Sequence, residues 1–228
     1  MKLIPYYRLA IFVLAFSSFC SAQDWSNFEK FRVDNESLKP KTNNEKRVVF
    51  MGNSITIGWL NSRPDFFKDQ PYVNRGISGQ TTPQMLVRFR ADVIDIGADV
   101  VVILAGTNDV AENTGPTTLE MILDNIKSMT ELAQANKVSV ILCSVLPAFD
   151  YPWSPGKDPN IKIPKLNEMI KTYAEQNGVY YLDYFSALDD GNNGLIAAFT
   201  TDGVHLTPEG YSVMEPMVEQ AIKTVLSK

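Results

Sequence analysis

The chain has 228 residues, 45% of them hydrophobic and 21% charged, and its 26 acidic against 21 basic residues leave a formal net charge of −5. That length suffices for one domain with a sizeable core. An acidic chain without basic runs lacks the electrostatic footprint of a nucleic-acid binder or of a protein held on an anionic membrane surface.

At the start, Lys2 and Arg8 precede the apolar run LAIFVLAF (Leu9 to Phe16), and small residues ending CSAQ follow. This is the pattern of a secretory signal peptide, here residues 1–22, cleaved after Ala22. The apolar run falls short of the roughly 20 residues that span a bilayer, so no stable membrane anchor is expected. Cys20 follows the bulky Phe19, which favours ordinary cleavage over lipidation. The expected location is periplasmic or extracellular. Cleavage takes the net charge from −5 to −7, since Lys2 and Arg8 are lost with no acid. It also leaves Cys143 as the one thiol, so stability has to come from packing rather than from an internal disulfide.

Residues 23–45 read as a strap and linker: Trp25, Phe28 and Phe31 at near-helical spacing, then the polar KPKTNNEKR. The domain proper is placed at residues 46–228. From there strand-like runs alternate with amphipathic stretches: RVVFMG, PYVNRG, DVVVILAG, VSVILCSV and GVYYLD are the strands. The clearest helical patterns cover Thr117 to Ala135, Pro164 to Gln176 and Pro208 to Leu226. Parallel neighbours need crossover connections, so this alternation predicts a five-stranded parallel sheet covered on both faces, a three-layer α/β/α architecture. The long irregular stretch, Pro147 to Pro164, carries five prolines and follows the fourth strand, at the edge where open α/β sheets bind ligands.

Three polar clusters end strands: GNS (Gly52 to Ser54), NRGISG (Asn74 to Gly79) and GTND (Gly106 to Asp109). Parallel strands share a direction, so all three meet at one edge of the sheet. A fourth stretch, TDGVHLTPEG (Thr201 to Gly210), precedes the last helix and holds His205, the only histidine in the chain. Acyl transfer at an ester needs an activated hydroxyl, a base suited to neutral pH, a group that orients the base, and donors aimed at the developing oxyanion. Ser54 fits the nucleophile, His205 the base and Asp202 the orienting acid. The amides of Ser54 and Gly76 and the Asn108 carboxamide fit the oxyanion donors. Each residue also has an ordinary explanation: Ser54 as a helix cap, the glycines as turn formers, Asn108-Asp109 and Asp202-Gly203 as turn pairs. Those explanations leave unaccounted the arrival of every required group at one sheet edge.

The four stretches together resemble the SGNH, or GDSL-like, hydrolase family of serine esterases and lipases. The serine block matches at Ser54, the glycine block at Gly76, the Gly-x-Asn-Asp block at Asn108 and Asp109, and the Asp-x-x-His block at Asp202 and His205. The resemblance runs from about Arg47 to the C-terminus. It implies a flavodoxin-like α/β/α fold, catalysis through an acyl-enzyme, and neither metal nor cofactor. The acetylhydrolase-like branch, which acts on platelet-activating factor and carbohydrate esters, looks nearest. One departure is Asn53, where the family usually has Asp.

The implied activity is removal of short acyl groups, acetyl foremost, from a glycan or other small polar ester. Trp59, Tyr151 and Trp153 are the candidate faces for a sugar ring. The alternatives are a lysophospholipase or lipase, and a non-catalytic carbohydrate-binding relative. A nucleotide-binding protein is disfavoured, since GISGQTT lacks the Gly-Lys-Ser/Thr ending of a phosphate loop.

Overall fold

A computed structural model describes residues 24–42 and 45–227; the expected leader, residues 1–22, lies outside them. The strands are β1 (Val48–Gly52), β2 (Tyr72–Gly76), β3 (Val100–Leu104), β4 (Ser139–Cys143) and β5 (Tyr180–Leu182). All pair in parallel in the order β2-β1-β3-β4-β5. The helices are α1 (Arg32–Ser37), α2 (Ser54–Ser62), α3 (Pro64–Phe67), α4 (Thr82–Phe89), α5 (Thr107–Val110), α6 (Leu119–Ala135), α7 (Pro159–Gln176), α8 (Phe185–Leu188) and α9 (Pro208–Leu226). A wider π-type turn, Arg90–Ile94, prolongs α4.

Every residue of β1 and β3 is buried, as strands covered on both faces must be. Alternate side chains go to opposite layers. Val49, Met51, Val101 and Ile103 pack with α4, α6 and α7. Val48, Phe50, Val100 and Val102 pack with α2 and α9. The sheet is thus the middle of three layers. In the register, Gly52 lies beside Gly76 on one side and Leu104 on the other, so β1, β2 and β3 end level and release their connections at one edge.

Two local expectations change. Helix α7 starts at Pro159, five residues before Pro164, which lies inside it and shortens the irregular stretch. A proline there frees the carbonyl four residues back, and that carbonyl, of Asn160, accepts a hydrogen bond from Asn193 Nδ2 at 2.9 Å. The strap packs on the core through Phe31 alone of its three aromatics, with Trp25 and Phe28 largely exposed. Arg47 then fastens the linker by donating to the carbonyls of Lys39 and Ile96.

Candidate active site

Strand β1 ends at Gly52, where a Cβ would lie 2.0 Å from Thr56 Oγ1 and 2.8 Å from the Leu104 carbonyl oxygen, so the chain can turn there only with glycine. Asn53 caps α2: its Oδ1 accepts the Ile55 amide at 3.0 Å. Ser54 is therefore the first residue of the helix rather than its cap, and its hydroxyl is free for another partner. An amide oxygen performs the capping as a carboxylate oxygen would. That accounts for Asn53 as a shape-keeping replacement for the family's Asp.

The partner is His205. Its Nε2 lies 2.9 Å from Ser54 Oγ, and its Nδ1 lies 2.6 Å from Asp202 Oδ2. The other Asp202 oxygen accepts the amides of Val204 and His205 at 2.9 and 2.8 Å, which fixes the carboxylate beneath the ring. With Nδ1–H held by the carboxylate, Nε2 presents a lone pair to the serine. Partial burial pushes the Asp202 carboxyl up, but the hydrogen bonds from the His205 ring and from those two amides outweigh it and hold the group below its ordinary value. The loop is locked to the rest of the site by Tyr211 on α9, whose hydroxyl donates to the Ile55 carbonyl at 2.8 Å.

Asn108, buried at the start of α5, donates one Nδ2 hydrogen to the Gln80 carbonyl at 3.0 Å and leaves the other without an acceptor among the described residues. The Gly76 amide, expected to be a second donor, is instead engaged: it donates to Asn74 Oδ1 at 3.0 Å. Gly76 serves close packing, for a Cβ there would lie 2.3 Å from the Ile57 nitrogen. Three residues on, Gly79 has φ +77°, and its amide has no acceptor among the described residues. Its carbonyl is held by Asn113 Nδ2 at 3.2 Å, and the next carbonyl, of Gln80, is the one that Asn108 holds. On this loop the amides of Ser78 and Gly79 are thus the ones without an acceptor among the described residues, and of the two glycines it is Gly79 whose amide is free. The second glycine of NRGISG was its only signal in the sequence.

The three aromatic candidates separate. Trp59 is 2% exposed, sandwiched by stacking on Phe66 and Tyr211, because it follows Ile55 by four residues on the face of α2 that meets the core. Tyr151 is 1% exposed, with its hydroxyl 3.0 Å from Thr107 Oγ1. Neither offers a face to a ligand. Trp153 does: it is 44% exposed, its ring is 6.1 Å from that of His205, and its Nε1 donates to Asn113 Oδ1.

A family model described as GDSL-like lipase/acylhydrolase matches residues 50–213. The chain belongs to that family. Two solved structures are 49% identical to this GDSL-like acylhydrolase chain. One is a proposed acylhydrolase from Bacteroides fragilis NCTC 9343, with a TM-score of 0.87 over 90% of this chain and 99% of that one. The other is a GDSL-like lipase from Bacteroides thetaiotaomicron VPI-5482, with a TM-score of 0.85 over 87% and 98%. An acetylxylan esterase from Geobacillus stearothermophilus, 19% identical, shares the fold with a TM-score of 0.62 over 80% and 95%. The search of curated proteins gave no match.

Within this family fold, Asp109 ties the Asn108 helix to its neighbour. Its carboxylate accepts the Thr82 amide at 2.9 and 3.1 Å and the Thr82 hydroxyl at 2.5 Å. Burial pushes its pKa up to about 6 against the lowering effect of those bonds. Among the described residues, no group of three or more His, Cys, Asp or Glu side chains is placed to hold a metal ion, and no helix is long and apolar enough to cross a membrane.

Proposed function

We propose that this GDSL-like acylhydrolase is an exported serine ester hydrolase that removes short acyl groups, acetyl foremost, from a glycan or similar polar alcohol. The observation that carries the proposal is the unbroken relay from Ser54 Oγ through His205 to Asp202, at 2.9 and 2.6 Å. In the first step Ser54 Oγ bonds to the acyl carbon while its proton passes to His205 Nε2, and the carbonyl electron pair moves onto oxygen. That oxyanion is received by the free Asn108 Nδ2 hydrogen and by the amides of Ser54 and Gly79. Collapse expels the alcohol, which takes the proton from Nε2 and leaves the acyl group on Ser54. Water then repeats the sequence, with His205 as base, and releases the acid. Asp202 holds the imidazolium formed in each half.

Trp153 supports the polar alcohol: a half-exposed indole beside the base offers an apolar face to a sugar ring. The helices named above are all engaged in the two layers or the strap, which leaves the acetyl reading better supported than a lidded long-chain lipase. The test is hydrolysis of nitrophenyl acetate, butyrate, octanoate and palmitate by wild type and by Ser54→Ala and His205→Ala. Turnover by either variant is expected to fall about 10⁴ to 10⁶-fold with the circular dichroism unchanged. Wild-type turnover in either one removes the serine mechanism, and a preference that climbs beyond butyrate removes the acetyl assignment.

A further inference from the structure

Behind the catalytic edge lies one fully enclosed cation, Arg88 on α4. Its Nε donates to Gln80 Oε1 at 2.6 Å, and Nη1 pairs with the buried Asp92 at 2.8 Å. Its Nη2 donates to the carbonyls of Gly52 at 3.2 Å and Arg75 at 2.9 Å. Gly52 is the last residue of β1 and Arg75 the last but one of β2, so the two carbonyls lie just before the Ser54 corner and the Gly79 loop. A charge removed from water is costly unless its hydrogen bonds are met. Here they are met by the Asp92 carboxylate, by the Gln80 side chain and by the two carbonyls that precede the reacting groups.

Gln80 joins this hub to the oxyanion donors. Its Oε1 is taken by Arg88 and its Nε2 by the Ser26 carbonyl of the N-terminal strap at 2.6 Å. Its main-chain carbonyl holds Asn108 Nδ2 at 3.0 Å. The side chain is thus gripped from both ends while the backbone aims the carboxamide. The adjoining Gln84 repeats the attachment, its Nε2 donating to the Trp25 carbonyl at 2.6 Å. We propose that Gln80 is a positioning residue: clamped between Arg88 and Ser26, it sets the place of the Asn108 carboxamide that receives the oxyanion.

The inference rests on the esterase reading, and a double-mutant cycle separates the two. Gln80→Met keeps the length of the side chain and deletes both polar ends. In the wild-type background it is expected to lower kcat for nitrophenyl acetate by roughly 10 to 100-fold, with KM changed less than about threefold, because the misplaced donor acts in the transition state. In the Asn108→Ala background the same substitution is expected to cost less than about twofold, since the group it aims is gone. Gln80→Asn, too short to reach Arg88, enters the same cycle if Gln80→Met does not fold. An equal loss in both backgrounds, or no loss in wild type, overturns the positioning role. Hydrolysis that survives Ser54→Ala overturns the esterase reading itself; hydrolysis that Ser54→Ala abolishes, together with an additive cycle, overturns the positioning role alone.

Discussion

In the proposed mechanism Asn108 contributes one side-chain donor beside two amides, so Asn108→Ala is expected to lower kcat by about 10² to 10³, well short of the loss from removing Ser54. Steady-state rates on nitrophenyl acetate measure the difference. Trp153→Ala is expected to leave that small substrate nearly unaffected and to impair acetylated oligosaccharides severalfold, as a lost ring contact would; equal effects on both would deny Trp153 contact with the alcohol. Asp109 gives a pH test of stability. An acid with a raised folded-state pKa binds its proton more tightly in the fold than in the unfolded chain. Its contribution therefore favours the fold below about pH 3.8 and is lost as pH rises through about 6. From pH 5 to 7.5, thermal unfolding should show wild type losing about 1 to 2 kcal/mol relative to Asp109→Asn. Among these residues, Ser54, Asp202, His205 and Asn108 were legible because each is a distinctive chemical type at a strand end or before a helix. The exchange of Gly79 for Gly76 was not legible. Only the folded chain reveals which glycine amide is already engaged by Asn74.

The strand-to-helix corners carry the packing at the next scale up. Gly76→Ala would drive a methyl group against the backbone of α2, 2.3 Å from the Ile57 nitrogen and 2.8 Å from the Asn53 oxygen, and neither can swing aside. A cost of about 1 to 3 kcal/mol is expected, read as a lowered melting temperature, along with a fall in kcat because the displaced turn carries Ser54. Strands β1, β3 and β4 were visible as apolar runs rich in valine and isoleucine, β2 and β5 as short runs of valine and tyrosine, and α6 and α9 as apolar periodicity. The start of α7 was hidden because Pro159 and Pro164 read as loop, and the compensating bond from Asn193 comes from a residue 33 positions away. Trp59 and Tyr151 were misjudged for a related reason. An aromatic near a site in sequence gives no indication of whether its face is already covered, and Phe66, Tyr211 and Thr107 settle that only in three dimensions.

For the molecule as a whole, the chain's single histidine leaves one imidazole to serve the proposed relay. Activity is expected to rise with pH along a single limb, with Asp202 ionised throughout since its carboxyl is held below the ordinary range. A profile with two ascending limbs would call for a second base. Chelators are expected to leave rates unchanged, and restoration of a chelated sample by a divalent ion would count against the proposed steps.

The strand order also says when this enzyme can first work. Strands β2 and β3, the next two in sequence, flank β1, so the first half of the sheet can close from short-range pairings, and β4 and β5 then add outward one at a time. Ser54 and Asn108 come with that early half. Asp202 and His205 come on the last loop, and α9 must dock across β3, β4 and β5 before Tyr211 can bind the Ile55 carbonyl. On the proposed mechanism the nucleophile is then expected to form before its base, which would make hydrolysis a signal of completed folding. In a refolding time course, far-ultraviolet circular dichroism should begin to recover while ester hydrolysis is still absent, and activity should return only with the slowest phase.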